Sequence, residues 1–164
     1  MKTRNRKSGF TLIEILIVVI ILGILAAIVI PQFTEASSDA KESSMVSNLQ
    51  TLRSQMGLYK VQHDDQYPNT SDGGVTIDAD VNNFLARLTS KTLITGAVDA
   101  AGEFGPYMPA VPENPFQNNA AAPLFRFGNN PGADTAHWCF DPATGNIWAD
   151  DDEVNSNGVA HSAL

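Results

Sequence analysis

The stretch that decides the fold is KSGFTLIEILIVVIILGILAAIVIPQF, residues 7–33, in which a basic and polar junction opens onto an unbroken apolar run from Phe10 to Ile30 with one acid, Glu14, near its start. At about 1.5 Å per residue, a helix of about 21 residues crosses the hydrocarbon layer of a bilayer. A carboxylate in that layer costs on the order of 2.5–3.5 kcal/mol at mid-helix and less near an end, so such a residue is a functional candidate by default. The rest of the chain has a different character. Of ten Lys and Arg residues, four (Lys2, Arg4, Arg6 and Lys7) precede Gly9, while all eighteen acids follow it. The chain is therefore an acidic module on an apolar stem, and a surface of that sign argues against nucleic-acid binding. With 164 residues in total, there is room for one ordinary domain after the stem.

The basic head and apolar run admit three readings. A secretory signal peptide has a shorter apolar core, about 7–15 residues, and ends at a small-residue cleavage site. The segment after Ile30, PQFTEASS, offers only a weak one. A plain transmembrane anchor fits the length better, and the basic residues place its N-terminal side in the cytoplasm. The third reading gives Glu14 a role. Thr11-Leu-Ile-Glu14 has the form of a capping box, which satisfies free N–H groups at a helix start. Local capping is one account of the acid.

Another comes from the junction itself. Lys7-Ser8-Gly9 followed by Phe10-Thr11-Leu12-Ile13-Glu14 resembles the processing site of type IV pilins and type II secretion pseudopilins. The resemblance implies that a prepilin peptidase/methyltransferase cuts between Gly9 and Phe10 and methylates Phe10. It also implies that Glu14, then the fifth residue, pairs with the N-terminal amine of a neighbouring subunit. That pairing makes chemical sense, because an α-amino group is cationic near neutral pH and each charge offsets the other's desolvation.

Pro31 closes the apolar run. It is read either as a bend in a long helix, which the resemblance implies, or as a marker of the membrane exit. Beyond it, Met45, Leu49, Leu52, Met56 and Tyr59 recur at alternating steps of four and three, one face of a helix reaching about His63. HDDQYPNTSDGG, residues 63–74, is dense in turn formers and reads as a loop. A second short helix is expected after Asp78 or Asp80 as N-cap, with Val81, Phe84, Leu85 and Leu88 on its apolar face. FGPYMPAVPENPF, residues 104–116, contains four prolines and excludes regular structure. Short aromatic-rich runs at 123–127, 136–140 and 146–149 read as strands. The Tyr59–Pro68 and Gly105-Pro106-Tyr107 segments also resemble pseudopilins.

The expected fold is α+β and pilin-like: a long N-terminal helix, membrane-spanning in its first half, against a small C-terminal antiparallel sheet. Its parts are a cleaved leader at 1–9, a transmembrane and filament-core helix at 10–30, an amphipathic continuation at 31–63, and a periplasmic head at 64–164.

Nothing in the sequence points to catalysis. His63, His137 and His161 have no metal-ligand spacing and read as surface or packing residues. There is no nucleophile elbow or phosphate-binding glycine loop. Cys139 stands alone, so the C-terminal disulfide of many type IVa pilins cannot form, which favours the pseudopilins. The tail ADDDEVNSNG, residues 149–158, offers the hard oxygens of Asp150, Asp151, Asp152, Glu153 and Asn155, of which Asp150, Asp151, Asp152 and Asn155 are the candidate ligands for a structural calcium, which the resemblance to major pseudopilins implies; the bland reading is a solvated acidic tail.

The sequence is thus read as a non-enzymatic, prepilin-like subunit that forms a helical homo-oligomeric filament, a type II secretion pseudopilus supporting protein export. The partners this implies are the peptidase, the inner-membrane assembly platform, minor pseudopilins, and membrane lipid before assembly, with the head in the periplasm. A type IV pilus subunit is the alternative, and a membrane-anchored periplasmic enzyme or binding protein is a second.

Overall fold

The computed structural model describes residues 10–71, 76–77 and 80–164. Two compact units are present, Met1–Ala40 and Lys41–Leu164. One helix, α1 (Leu12–Gln62), contributes its first part to one unit and its second part to the other.

From Leu12 to Ile30 the helix is apolar all round except for Glu14. Its large hydrophobic side chains from Leu12 to Ile30 are each more than half exposed. Among the described residues, this one helix is long and apolar enough to cross a membrane. Pro31 lies inside the helix and not at its end. Proline has no N–H to give the preceding turn. The Thr34 hydroxyl donates to the carbonyls of Pro31 (2.8 Å) and Ile30 (3.2 Å) just beyond it.

The second unit is built on the other part of α1. Met45, Leu49, Leu52, Met56 and Tyr59 are buried, the face expected from their spacing. Helix α2 (Val81–Thr89) opens at Asp80, whose carboxylate accepts the Asn82 N–H at 2.8 Å. Of the two expected caps, Asp80 is the one used; Asp78 lies outside the described residues. Phe84 and Leu88 enter the core beside Met108 and Val111 from the proline-rich segment.

Strands β1 (Thr70–Ser71) and β2 (Thr76–Ile77) form a short antiparallel pair, β1 within the stretch 63–74 that the composition reads as loop and β2 just after it. Strands β3 (Phe125–Phe127), β4 (Trp138–Phe140) and β5 (Ile147–Ala149) form the main sheet. It is mixed and not antiparallel throughout: β4 pairs with β5 antiparallel, but β3 pairs with β4 parallel, Phe125 opposite Trp138 and Phe127 opposite Phe140. The reason is the connection. A two-residue turn would force an antiparallel pair, whereas the ten residues from Gly128 to His137 let the chain return to the end from which β3 started. Phe84 is the hub of the core, packed on Phe125, Phe127 and Phe140 with ring centroids at 4.9, 5.4 and 5.1 Å.

The Tyr-Pro and Gly-Pro-Tyr segments act as straps. The Tyr67 hydroxyl donates to the Thr144 carbonyl in the β4–β5 turn. Tyr107 and Met108 N–H groups both donate to the Leu88 carbonyl, closing the end of α2, and the Tyr107 hydroxyl donates to Gln62 of α1 at 2.7 Å. The Trp138 indole donates to Pro112 O at 2.8 Å. Without regular structure of its own, the four-proline segment thereby ties α1, α2 and the sheet together.

Candidate functional site: the stem terminus and the C-terminal loop

At the stem terminus, Phe10 and Thr11 precede the first turn of α1, and Phe10 is exposed. Glu14 Oε2 accepts from the Thr11 N–H (2.7 Å) and from the Thr11 hydroxyl (2.8 Å), while Glu14 N–H donates to Thr11 Oγ1 at 3.3 Å. This is the capping box expected from T-x-x-E. The carboxylate is exposed within the chain and lies a few residues from the backbone nitrogen of Phe10, so capping does not remove it from reach of a second molecule. Gly9 lies outside the described residues. Pro31 sits within the helix, well apart in sequence from this cluster.

The C-terminal acids are arranged differently from a solvated tail. Asp150 and Asp151 are buried, at 0% and 1% exposure. The Arg126 guanidinium grips Asp150 with two prongs, Nε to Oδ2 at 2.6 Å and Nη2 to Oδ1 at 2.5 Å. Main-chain N–H groups of Ala133 and Ala136 and the Thr135 hydroxyl donate to the same carboxylate at 3.1–3.3 Å. Burial pushes the Asp150 carboxyl upward, but the Arg126 hydrogen bonds and charge and the N–H donors outweigh it and hold the group below its ordinary value.

Asp151 takes the His161 ring at 2.6 Å and the Glu153 N–H on Oδ1, and the Asn114 amide on Oδ2. Asn114 in turn bonds His137 through its backbone N–H and its side chain. All three histidines are buried; His63 lies flat on Tyr59, 3.8 Å between centroids, and bonds Thr92 at 2.9 Å.

Of the remaining calcium candidates, Asp152 is exposed. Asn155 Oδ1 closes its own turn by accepting N–H groups of Asn157 and Val159. Among the described residues, no three or more His, Cys, Asp or Glu side chains are grouped so as to hold a metal ion. As placed, the four candidates do not fit a calcium ligand set, which needs six to eight convergent oxygens. Arg126 and Asn114, which help hold the two buried acids, are not singled out by the sequence, and His161 reads there only as a surface or packing residue. The available signal was a lone arginine in the middle of the aromatic strand Phe125-Arg126-Phe127.

An uncovered apolar stem that opens with a capped acid, joined to a small α+β unit, defines a pilin-like membrane-anchored subunit. A profile of the prokaryotic N-terminal methylation motif family matches residues 4–30. The type II secretion system core protein G of Aeromonas hydrophila is 31% identical over 115 residues, 70% of this chain and 71% of that protein. Proteins of the same name from Pseudomonas aeruginosa and Dickeya chrysanthemi are 41% and 40% identical over 70 and 69 residues, 43% and 42% of this chain and 49% and 44% of theirs. No solved structure matches. The chain belongs to the type II secretion system core protein G family, the pseudopilins. The names of these relatives describe a secretion-system component and not an enzyme.

Proposed function

We propose that this chain is inserted in the inner membrane with its basic leader in the cytoplasm and its head in the periplasm, is cut between Gly9 and Phe10, and is methylated on Phe10. The processed subunit polymerises into a helical pseudopilus that supports protein export. The prepilin peptidase/methyltransferase, an inner-membrane assembly platform and minor pseudopilins act on it. Membrane lipid covers the stem before assembly, and neighbouring stems cover it afterwards. Head-to-tail contacts of this kind do not close, so identical copies extend into a filament.

The observation that carries the reading is the match of the Lys7–Glu14 junction to an apolar stem whose side chains find no cover within the chain. Glu14 then has two successive duties. It caps α1 within its own subunit, and it receives the cationic amine of a neighbour's Phe10 when the stems bundle.

The test is intact mass and N-terminal sequencing of the protein from its native membrane. A chain starting at N-methylated Phe10 is expected. A chain starting at Met1, or cut near residues 36–38, would rule out the filament pathway.

A further inference from the structure

The resemblance implies a divalent cation holding the C-terminal loop, but the residues there are arranged around a cation that the chain already supplies. We infer that the guanidinium of Arg126 is the resident cation of this loop, and that the head folds and keeps its loop closed without calcium. The inference concerns the head alone and does not rest on the assembly reading.

Asp150 is fully buried, so its charge requires a partner. Every acceptor direction on its carboxylate is taken. Oδ1 receives Arg126 Nη2 and the Ala133 N–H. Oδ2 receives Arg126 Nε, the Ala136 N–H and both donors of Thr135. A carboxylate offers about four lone-pair sites, and here six donors share them. A calcium ion at Asp150 would displace the fork or stand against its positive charge.

Arg126 also does the mechanical part of the task. Its Nη2 donates to the Asn130 carbonyl, and the Asp134 N–H reaches the Asp150 carbonyl at 2.6 Å, so the 128–136 loop is drawn down over the end of β5. Asp151 is held separately by His161 and Asn114. Asp152 and Glu153 are exposed and Asn155 caps its own turn, and among the described residues no three His, Cys, Asp or Glu side chains are grouped to hold a metal ion. The planar fork of arginine gives two parallel charge-assisted bonds that lysine cannot reproduce.

The test uses the full chain in detergent, melted by circular dichroism in excess EGTA and in millimolar calcium chloride, as wild type and as Arg126→Met and Arg126→Lys. The wild-type Tm is expected to be the same in both buffers. Removing one partner of a buried pair in a chain of this size is expected to lower Tm by about 10 °C in Arg126→Met. Arg126→Lys, which covers the case of a methionine variant that does not fold, is expected to lose part of that shift in either buffer. A wild-type Tm that rises by several degrees with calcium overturns the inference, as does wild-type melting of either variant.

Discussion

Substituting Glu14 separates its two duties. Gln is accepted at the last position of a capping box, so Glu14→Gln keeps the bonds now made by Thr11 N–H and Oγ1 to the side-chain oxygen, while Glu14→Leu loses them. If capping were the whole role, Glu14→Gln would be neutral and Glu14→Leu would cost about 1 kcal/mol of helix stability. Insertion would not suffer, since removing the charge lowers the cost of placing this turn in the bilayer. If the carboxylate pairs with a neighbour's amine in a low-dielectric stem bundle, either substitution leaves that amine unpaired. Breaking a buried ion pair in this way costs about 3–5 kcal/mol. At about 1.4 kcal/mol per decade, that is a fall of roughly 10²-fold to several thousand-fold in the affinity of each added subunit. The assay is the yield of sheared filaments in cells that express the assembly machinery, set against the amount of processed subunit in the membrane fraction. Both variants are expected to accumulate as membrane-resident monomers and to yield almost no filament. Wild-type filament yield from Glu14→Gln would refute the pairing argument and leave only the cap.

Three further outcomes concern the head. Phe84→Ala removes the ring that packs on Phe125, Phe127 and Phe140, and is expected to destabilise the fold by about 4 kcal/mol, read as the change in urea midpoint at constant slope. Gly145 has φ +77°, and a Cβ there would stand 1.9 Å from Tyr67 Cζ, so Gly145→Ala is expected to cost more than about 2 kcal/mol in the same titration. Burial, partly offset by the charge of Arg87, pushes the Tyr59 hydroxyl up to about 12. Because the folded value lies above the unfolded one of about 10, this stabilisation is fully present below pH 10 and is lost as pH rises towards 12. The loss amounts to about 3 kcal/mol and should be absent from Tyr59→Phe in alkaline melts.

The parts of the fold that were legible from sequence are those governed by periodicity and punctuation. The four-three spacing of Met45 to Tyr59 specified one buried face, and that face is the floor of the core. The Asp-Ala-Asp before Val81-Asn-Asn-Phe84 offered Asp78 or Asp80 as cap to an apolar stripe, and the stripe is present with Asp80 as its cap. The four prolines of 104–116 ruled out a helix or central strand, although not their role as a strap, since that depends on partners far away in sequence such as Leu88 and Gln62. Strand direction was not legible for a related reason. The composition of Phe125–Phe127 and Trp138–Phe140 sets pairing propensity, whereas parallel or antiparallel order is decided by the path of the ten residues between them.

The acidic run 150–153 shows where one-dimensional reading of charge stops. Four consecutive acids have the composition of a solvated terminus, and nothing local distinguishes Asp150 and Asp151 from Asp152 and Glu153. What distinguishes them is the partners that reach them from elsewhere in the fold. Asp150 meets Arg126 from β3, and Asp151 meets His161 from ten residues downstream and Asn114 from the four-proline segment. A buried aspartate is tolerable only with its charge compensated or its oxygens hydrogen-bonded, so the burial of Asp150 depends on Arg126 and, separately, that of Asp151 depends on His161 and Asn114. The same logic governs the other end of the molecule. On the proposed assembly, Glu14 finds its compensating charge on a neighbour's amine, whereas Asp150 finds its cation inside the chain.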